Sequence, residues 1–397
     1  MDPVAFGFLL TPAGQALLRR TEAAYDEGAE GHNELALARA LRREYDAGHV
    51  SAALTQVELR RRASAKFGDQ AARMYFTPDG LEQATHPAVA DYRAVRLAAL
   101  VDAPDAALVD LGCGIGSDLV SFARHGFRVV GFERDRATAA VAAANLSSFG
   151  LPGHVEVGDV TAVDHLLFDV AFADPSRRSA SGRTFDPHSY APPWSFVEDL
   201  LSRRAVVKVA PGIPHAIVPD DVETEWVSLD GQLKEATLWS GFAPHGRARA
   251  TLLRSGVPPA TLTDRDTAAD PVVRSVGRYV YEPDDAVIRA HLVTTVCALV
   301  DGWLLDEHVA YVSADRLVQS PFAAAYEVLD VLPFKERQLR AALRTRDVGP
   351  LTIKKRGVRV TPEALRTRLA LSGTRPATLV LTRTPHSAVA LLVDRRR

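Results

Sequence analysis

The sequence predicts an α/β protein: a parallel sheet with crossover helices, preceded by a helical region and followed by a basic α+β segment. Three observations carry this. From residue 106 onward, short apolar runs alternate with helical stretches, the pattern of βαβ units. Up to about residue 100 the chain reads as helices only. From about residue 322 strands and helices alternate again, in a segment of opposite charge. Val331 to Arg397 holds 16 Lys+Arg against 4 Asp+Glu, a net of +12, whereas the whole chain carries −2 and residues 1–330 therefore −14. Such asymmetry points to nucleic-acid contact by one end, with a solvated basic surface as the alternative.

The helices come first. TPAGQALLRRTEAAYDEG starts with Thr11 as cap and Pro12 at the first helical position, and stops near Gly28, as capping chemistry asks. NELALARALRREYDAG runs from an Asn33 cap to Gly48, and SAALTQVELRRRASAKFG from Ser51 to Gly68. Two shorter helices follow Thr77-Pro78 and His86-Pro87. The runs ALVDL, RVVGFE, VEV, DVAFAD and AVVKVA are the expected parallel strands, with SDLVSFARHG and RATAAVAAANLSSFG as crossover helices. VETEWVSL and ARATLLR are candidates for late strands. Arg254 to Pro271, rich in Pro, Thr and Asp, reads as a linker. A helix is expected after Pro283. Then come strand AAYEVLDVLPF, helix KERQLRAALRTRDVG, strand PLTIKKRG, helix TPEALRTRLALSG, and strands ATLVLTR and SAVALLV. The expected organisation is a helical region at 1–100, a ligand-binding sheet at 101–254, a linker and helical connection at 255–321, and a basic α+β domain at 322–397.

With 397 residues the chain exceeds one ordinary core. Two cysteines, Cys113 and Cys297, make neither a disulfide framework nor a zinc-ligand set. No apolar run reaches membrane-spanning length, and MDPVAFGFLLTPAGQ lacks the basic start of a signal peptide. A cytoplasmic protein without a metal is expected.

The stretch VDLGCGIGSD places Gly112, Gly114 and Gly116 at alternate positions just after an apolar strand, where glycine lets backbone approach a ligand closely. The dinucleotide fingerprint asks for its third glycine one position later. Asp110 and Asp118 flank the loop, and a pyrophosphate would meet both carboxylates beside a helix start. S-adenosylmethionine has no phosphate, and its sulfonium and ammonium suit nearby acids. Glu133 ends the next strand, 23 residues after Asp110, where it can accept ribose hydroxyls. Asp159 ends the third strand, in reach of an adenine amino group. Asp174 ends the fourth, in DPSRR. All four acids therefore face one crevice at the carboxyl ends of the strands.

On these residues the segment 106–254 resembles the class I S-adenosylmethionine-dependent methyltransferases. DLGCGIG matches that family's first motif. The resemblance implies a Rossmann-like sheet, with Asp110, Gly112, Gly114 and Gly116 around the methionine part, Glu133 at the ribose and Asp159 at the adenine. More narrowly, TPDGLEQATHPAVADYRA, DPSRR, YEPDDAVIRA and LTIKKRG resemble bacterial methyltransferases with a helical N-terminal region and a C-terminal THUMP-like domain. That likeness implies RNA, transfer or ribosomal, as the acceptor.

Enzymes that methylate exocyclic or amide nitrogens often carry Asp/Asn-Pro-Pro-Tyr where this chain has DPSRR. Asp174 and Pro175 are kept as candidate catalytic residues, but the second proline and the aromatic are absent. Phe185, Tyr190 and Trp194 follow and can either stack on a base or simply pack. Arg177 and Arg178 are candidates for phosphate contacts, as are Lys354, Lys355 and Arg356 in the basic segment. Lys208, odd in the apolar run VVKVA, either reaches the crevice or snorkels. The expectation is a methyltransferase of structured RNA. The alternatives are a small-molecule or protein methyltransferase, an inactive RNA-binding protein on the same fold, and an NAD-dependent oxidoreductase, which the glycine spacing disfavours.

Overall fold

The computed structural model describes residues 2–28, 34–177, 190–243, 246–266 and 272–396. They fall into two units, Met1–Val209 with Leu238–Ala243, and Ala210–Thr237 with Pro244–Arg397.

The first unit starts with helices α1 (Pro3–Leu9), α2 (Pro12–Asp26), α3 (Glu34–Leu41), α4 (Ala47–Phe67), α5 (Pro78–Gln83) and α6 (Pro87–Val101). Asp2, Thr11, Thr77 and His86 each cap a helix whose first turn carries proline. The cap accepts one orphan N–H, and proline removes another. α4 starts earlier than Ser51, because the Asp46 carboxylate accepts the Gly48 N–H at 2.7 Å and so caps the chain there. The expected Asn33 cap lies outside the described residues. Phe6, Leu17, Leu54, Val57 and Phe76 form a core that also takes Ile115 and Val141.

Strands and helices then alternate: β1 (Ala107–Leu111), α7 (Ser117–Arg124), β2 (Arg128–Glu133), α8 (Arg136–Ser148), β3 (Gly153–Val157), β4 (Val170–Ala173), β5 (Ser176–Arg177), β6 (Tyr190–Ala191), α9 (Trp194–Leu200) and β7 (Ala205–Val209). Five of these strands pair in the order β7-β4-β1-β2-β3, all parallel. β1 and β4 are almost wholly buried, which is why they read as continuous apolar runs. The order reverses at β1, the switch point where such sheets bind ligands outside the carboxyl ends of their strands. No α-helix joins β3 to β4; two short 3₁₀ turns do.

The second unit contains β8 (Glu223–Leu229), β9 (Gln232–Ser240, its last three residues counted with the first unit), β10 (Ala248–Arg254) and β11 (Val257–Thr263). β8 and β10 are parallel, and β11 returns antiparallel to β10. Part of the expected linker is therefore strand. Its two prolines hid the strand, and β11 stands at the end of its sheet, where missing N–H groups are tolerated.

A seven-stranded sheet follows, built from β12 (Tyr279–Pro283), α10 (Asp285–Arg289), α11 (Val293–Leu299), β13 (Trp303–Asp306), β14 (Val309–Ala314), β15 (Ala323–Pro333), α12 (Glu336–Thr345), β16 (Val348–Lys355), α13 (Pro362–Leu369), β17 (Arg375–Arg383) and β18 (Ala388–Arg396). Its order is β13-β14-β12-β15-β18-β17-β16. Leu339 and Leu343 of α12 and Leu365 and Leu369 of α13 pack on Leu351, Ile353, Leu379 and Leu381. The three strands β12–β14 lie within the stretch expected to be linker and helix, so the sheet of the basic segment begins earlier in the chain than residue 322. Among the described residues no helix is long and apolar enough to cross a membrane.

Candidate functional site

The register of the first sheet decides which side chains meet. Asp110 pairs with Gly131 on one side and with Phe172 on the other, and Phe172 pairs with Val206. Paired residues share a face, and so do residues two apart. Asp110, Glu133, Asp174 and Lys208 therefore stand on one face at the carboxyl ends of β1, β2, β4 and β7.

Asp110 is fully buried, and among the described residues neither of its carboxyl oxygens has a hydrogen-bond partner. Burial, helped by the Asp118 and Asp174 carboxylates and opposed by Arg93, holds its carboxyl well above the ordinary carboxylate range. A buried polar group with no partner costs stability. Such a carboxyl suits a cationic or hydrogen-bond-donating group of a ligand.

The glycine loop follows directly. Gly112, Gly114 and Gly116 take φ values of +95°, +55° and +81°, a region that glycine enters without strain. A Cβ at Gly112 or Gly114 would point into open space, whereas at Gly116 it would meet Ala142 at 3.3 Å. The first two glycines thus leave room above the loop, and the third lets the loop pack on α8. Glu133 braces it: Oε2 accepts the Gly114 N–H at 3.1 Å and Oε1 the Asp135 N–H at 2.9 Å. Two bonds do not exhaust a carboxylate, which can accept about four.

Asp159 is exposed at the end of β3. Its Oδ1 takes both the Thr161 N–H and hydroxyl, at 2.9 and 2.8 Å, and these bonds lower its pKa. Oδ2 has no partner among the described residues.

Asp174 lies one residue past β4 and is held by Lys208, whose Nζ is 2.5 Å from Asp174 Oδ2. The same ammonium donates to Thr85 Oγ1 at 3.1 Å. Thr85 donates in turn to Asp118 Oδ2 at 2.6 Å, and buried Arg93 binds the other oxygen of Asp118. Asp118, which flanks the loop on its far side, is therefore engaged by the N-terminal helical region. Pro175 is buried after Asp174, and a proline there confines the aspartate to extended backbone.

The N-terminal region forms part of this crevice. A Cβ on Gly80 of α5 would lie 2.2 Å from Ile115 Cγ2, so only glycine allows this approach. Asn145 of α8 exchanges hydrogen bonds with the Tyr75 backbone at 2.7 and 3.0 Å and donates to the Ile115 carbonyl at 2.8 Å. Thr85, Arg93, Gly80 and Asn145 were not singled out from the sequence. They carry no strand-end signal, and only the fold brings them to the loop.

The remaining candidates are placed as follows. Arg177 lies in β5, where its backbone pairs with Tyr190. Arg178 and Phe185 lie outside the described residues. Tyr190 and Trp194 are buried, with ring centroids 5.7 Å apart, so in this structure both are packed. Burial pushes the Cys113 thiol well up and the Cys297 thiol to about 12; both behave as core filler.

In the second unit Lys354 Nζ is 2.5 Å from Glu282 and Arg356 is 2.9 Å from Asp285. Burial lowers the Lys354 pKa, but the Glu282 bond and charge outweigh this and leave it raised. Lys355, on the opposite face of β16, is exposed. The three basic side chains thus do not form one uniform patch.

Three family models match parts of the chain: a domain of unknown function at residues 2–63, the precorrin methyltransferase domain at 76–171, and the THUMP domain-like family at 323–395. An uncharacterized S-adenosylmethionine-dependent methyltransferase, curated from two strains of Mycobacterium tuberculosis, is 38% identical over 337 residues, covering 82% of this chain and 90% of the relative. A crystal structure of a Porphyromonas gingivalis protein assigned as a methyltransferase aligns with a TM-score of 0.74 at 21% identity, over 96% of this chain and 97% of that one. That likeness is one of fold.

Proposed function

The chain belongs to the S-adenosylmethionine-dependent methyltransferases, and from that premise we propose that it methylates structured RNA, transfer or ribosomal. The observation that carries the reading is one chain joining this crevice to a C-terminal segment that matches the THUMP domain-like family. The net charge of +12 on residues 331–397 supports it independently.

The crevice suits the cofactor chemically. The partnerless carboxyl of Asp110 fits a cationic ligand group, and the open space above Gly112 and Gly114 fits a ligand laid against backbone. In our reading Asp110 and the loop Gly112–Gly116 hold the methionine part, Glu133 accepts the ribose hydroxyls, and the outward oxygen of Asp159 accepts the adenine amine. When bound, S-adenosylmethionine supplies an electrophilic methyl carbon on a sulfonium, so the protein's task is mainly alignment. Such positioning is worth on the order of 7–11 kcal/mol. Asp174 would accept a hydrogen bond from the acceptor and so orient the acceptor's lone pair, the proton that the acceptor sheds on methylation would pass to solvent, and Pro175 fixes the backbone that carries Asp174. Arg177 and Arg178 bind acceptor phosphates. The exposed Lys355 contributes phosphate contacts in the basic segment, whereas Lys354 and Arg356, expected to do the same, are engaged by Glu282 and Asp285.

The test separates acceptor from cofactor. Asp174→Ala should lower methyl transfer by about 100- to 10,000-fold while S-adenosylmethionine affinity holds within a few-fold. Transfer surviving within a few-fold would place the acceptor elsewhere.

A further inference from the structure

We propose that Lys208 is the residue that positions Asp174 for methyl transfer, a role that rests on the reading of Asp174 as the acceptor-facing carboxylate. The first evidence is in the sequence. Lys208 is one of only six lysines among 47 basic residues, and it interrupts the apolar strand AVVKVA. A cation in a buried strand lowers stability unless something there requires it.

Topology supplies the reason. Ala173 pairs with Val207 across β4 and β7, so Asp174 and Lys208 occupy the next matched positions, just where the two strands reach the crevice. The ammonium is largely buried, its side chain 16% exposed, and sits 2.5 Å from Asp174 Oδ2. A second bond fixes its direction, to Thr85 Oγ1 at 3.1 Å. The polarity of that bond is determined. Thr85 has one hydroxyl proton and gives it to Asp118, so its lone pair faces Lys208. Arg93 anchors Asp118 at the far end. The result is a directional chain from Arg93 through Asp118, Thr85 and Lys208 to Asp174.

The chain has a consequence for chemistry. Asp174 lies near Asp110 and Asp118. The Lys208 ammonium sets a positive charge beside it, 2.5 Å from Oδ2. That contact holds Oδ2 in place and so aims the carboxylate. A lysine suits this better than an arginine: a compact point charge fits between one carboxylate and one hydroxyl, while a guanidinium presents a planar fork.

Two experiments test the role. In the first, Lys208→Met and Lys208→Arg are compared with the intact full-length enzyme in methyl transfer to RNA. Lys208→Met should lose about 100-fold in kcat, the scale of a misplaced reacting group, with the RNA KM and S-adenosylmethionine affinity of the folded variant nearly unchanged; Lys208→Arg should recover part of kcat. A purely structural ion pair would cost cofactor affinity and kcat alike in the folded variant, with no recovery in Lys208→Arg; that outcome, or transfer by Lys208→Met within threefold of the parent, overturns the proposal. The second needs no acceptor. In ¹H–¹⁵N spectra of lysine ammonium groups, Lys208 should show slow exchange with water that Asp174→Asn abolishes. A Lys208 ammonium exchanging as fast as that of Lys234 would overturn the pairing even if RNA proves not to be the acceptor. Failure of wild-type transfer to RNA alone overturns the substrate reading and leaves the ammonium spectrum to decide this one.

Discussion

Replacing Asp110 with asparagine should do two opposite things. Asp110 is fully exposed to neighbouring acids and fully hidden from water, with no hydrogen-bond partner for either oxygen among the described residues. Its carboxyl pKa is raised by burial first and by Asp118 and Asp174 next. The sign follows. A folded-state pKa above the unfolded value gives a stability contribution that is complete below the unfolded pKa and is lost as pH rises through the folded one. Near neutral pH the cofactor-free protein is therefore less stable than it would be with an uncharged isostere, and Asp110→Asn should raise its melting temperature. Each kcal/mol gained would raise it by roughly 2–4 °C in a unit of this size. Cofactor binding should behave in the reverse way. A cationic group beside Asp110 favours the carboxylate, so binding releases a proton and affinity climbs with pH by up to one decade per unit below the cofactor-free pKa. Asp110→Asn removes a charged hydrogen bond of about 1.5–3 kcal/mol, or about 10- to 150-fold in affinity. Calorimetry with S-adenosylmethionine in two buffers of different ionisation enthalpy, repeated across pH, measures both effects. Equal affinity in Asp110→Asn, or wild-type binding with no proton release at any pH, would refute the reasoning.

Glu133→Ala should weaken S-adenosylmethionine binding by a similar factor, since about 1.5–3 kcal/mol of charged hydrogen bonding goes and the Gly114 brace goes with it; unchanged calorimetric affinity in a folded variant would contradict this. Gly80→Ala should destabilise the first unit by about 1–3 kcal/mol, because its Cβ would lie 2.2 Å from Ile115 and 2.6 Å from Thr77 Oγ1; thermal unfolding reads the loss. Lys355→Ala should reduce the logarithmic salt slope of RNA binding by about 0.7–0.9 without changing the melting temperature. Lys354→Ala should instead lower the melting temperature, because it strands the Glu282 carboxylate. Equal behaviour of the two lysine variants would show that the pairing with Glu282 does not matter.

The strand ends were legible because their acids sit where apolar runs stop. Asp110, Glu133 and Asp174 each follow a hydrophobic stretch, and the loop between Gly112 and Gly116 could be read from its glycine spacing only together with those acids. Caps were equally plain: Thr11-Pro12, Thr77-Pro78 and His86-Pro87 mark α2, α5 and α6 in the chemistry of one dipeptide. What failed to show was long-range. Nothing local says that Thr85 meets Lys208 across 123 residues, or that Asp118 pairs with Arg93. The strands β11 to β14 were missed because two prolines and short polar hairpins disguise a strand as linker. In the basic segment, charge could be counted but its neutralisation could not: Glu282 and Asp285 lie more than 70 residues before the side chains they engage.

Whether the methyl group goes to RNA can be read directly from where a labelled methyl group ends up. Purified enzyme is incubated with tritiated S-adenosylmethionine and an unfractionated extract from which nothing has been removed, and the label is followed into acid-precipitable material before and after ribonuclease and protease. An RNA methyltransferase should give label that ribonuclease releases and protease does not, present with the wild-type enzyme and reduced about 100-fold or more with Asp174→Ala. Label released by protease alone, or label recovered only in small molecules, would contradict the RNA reading.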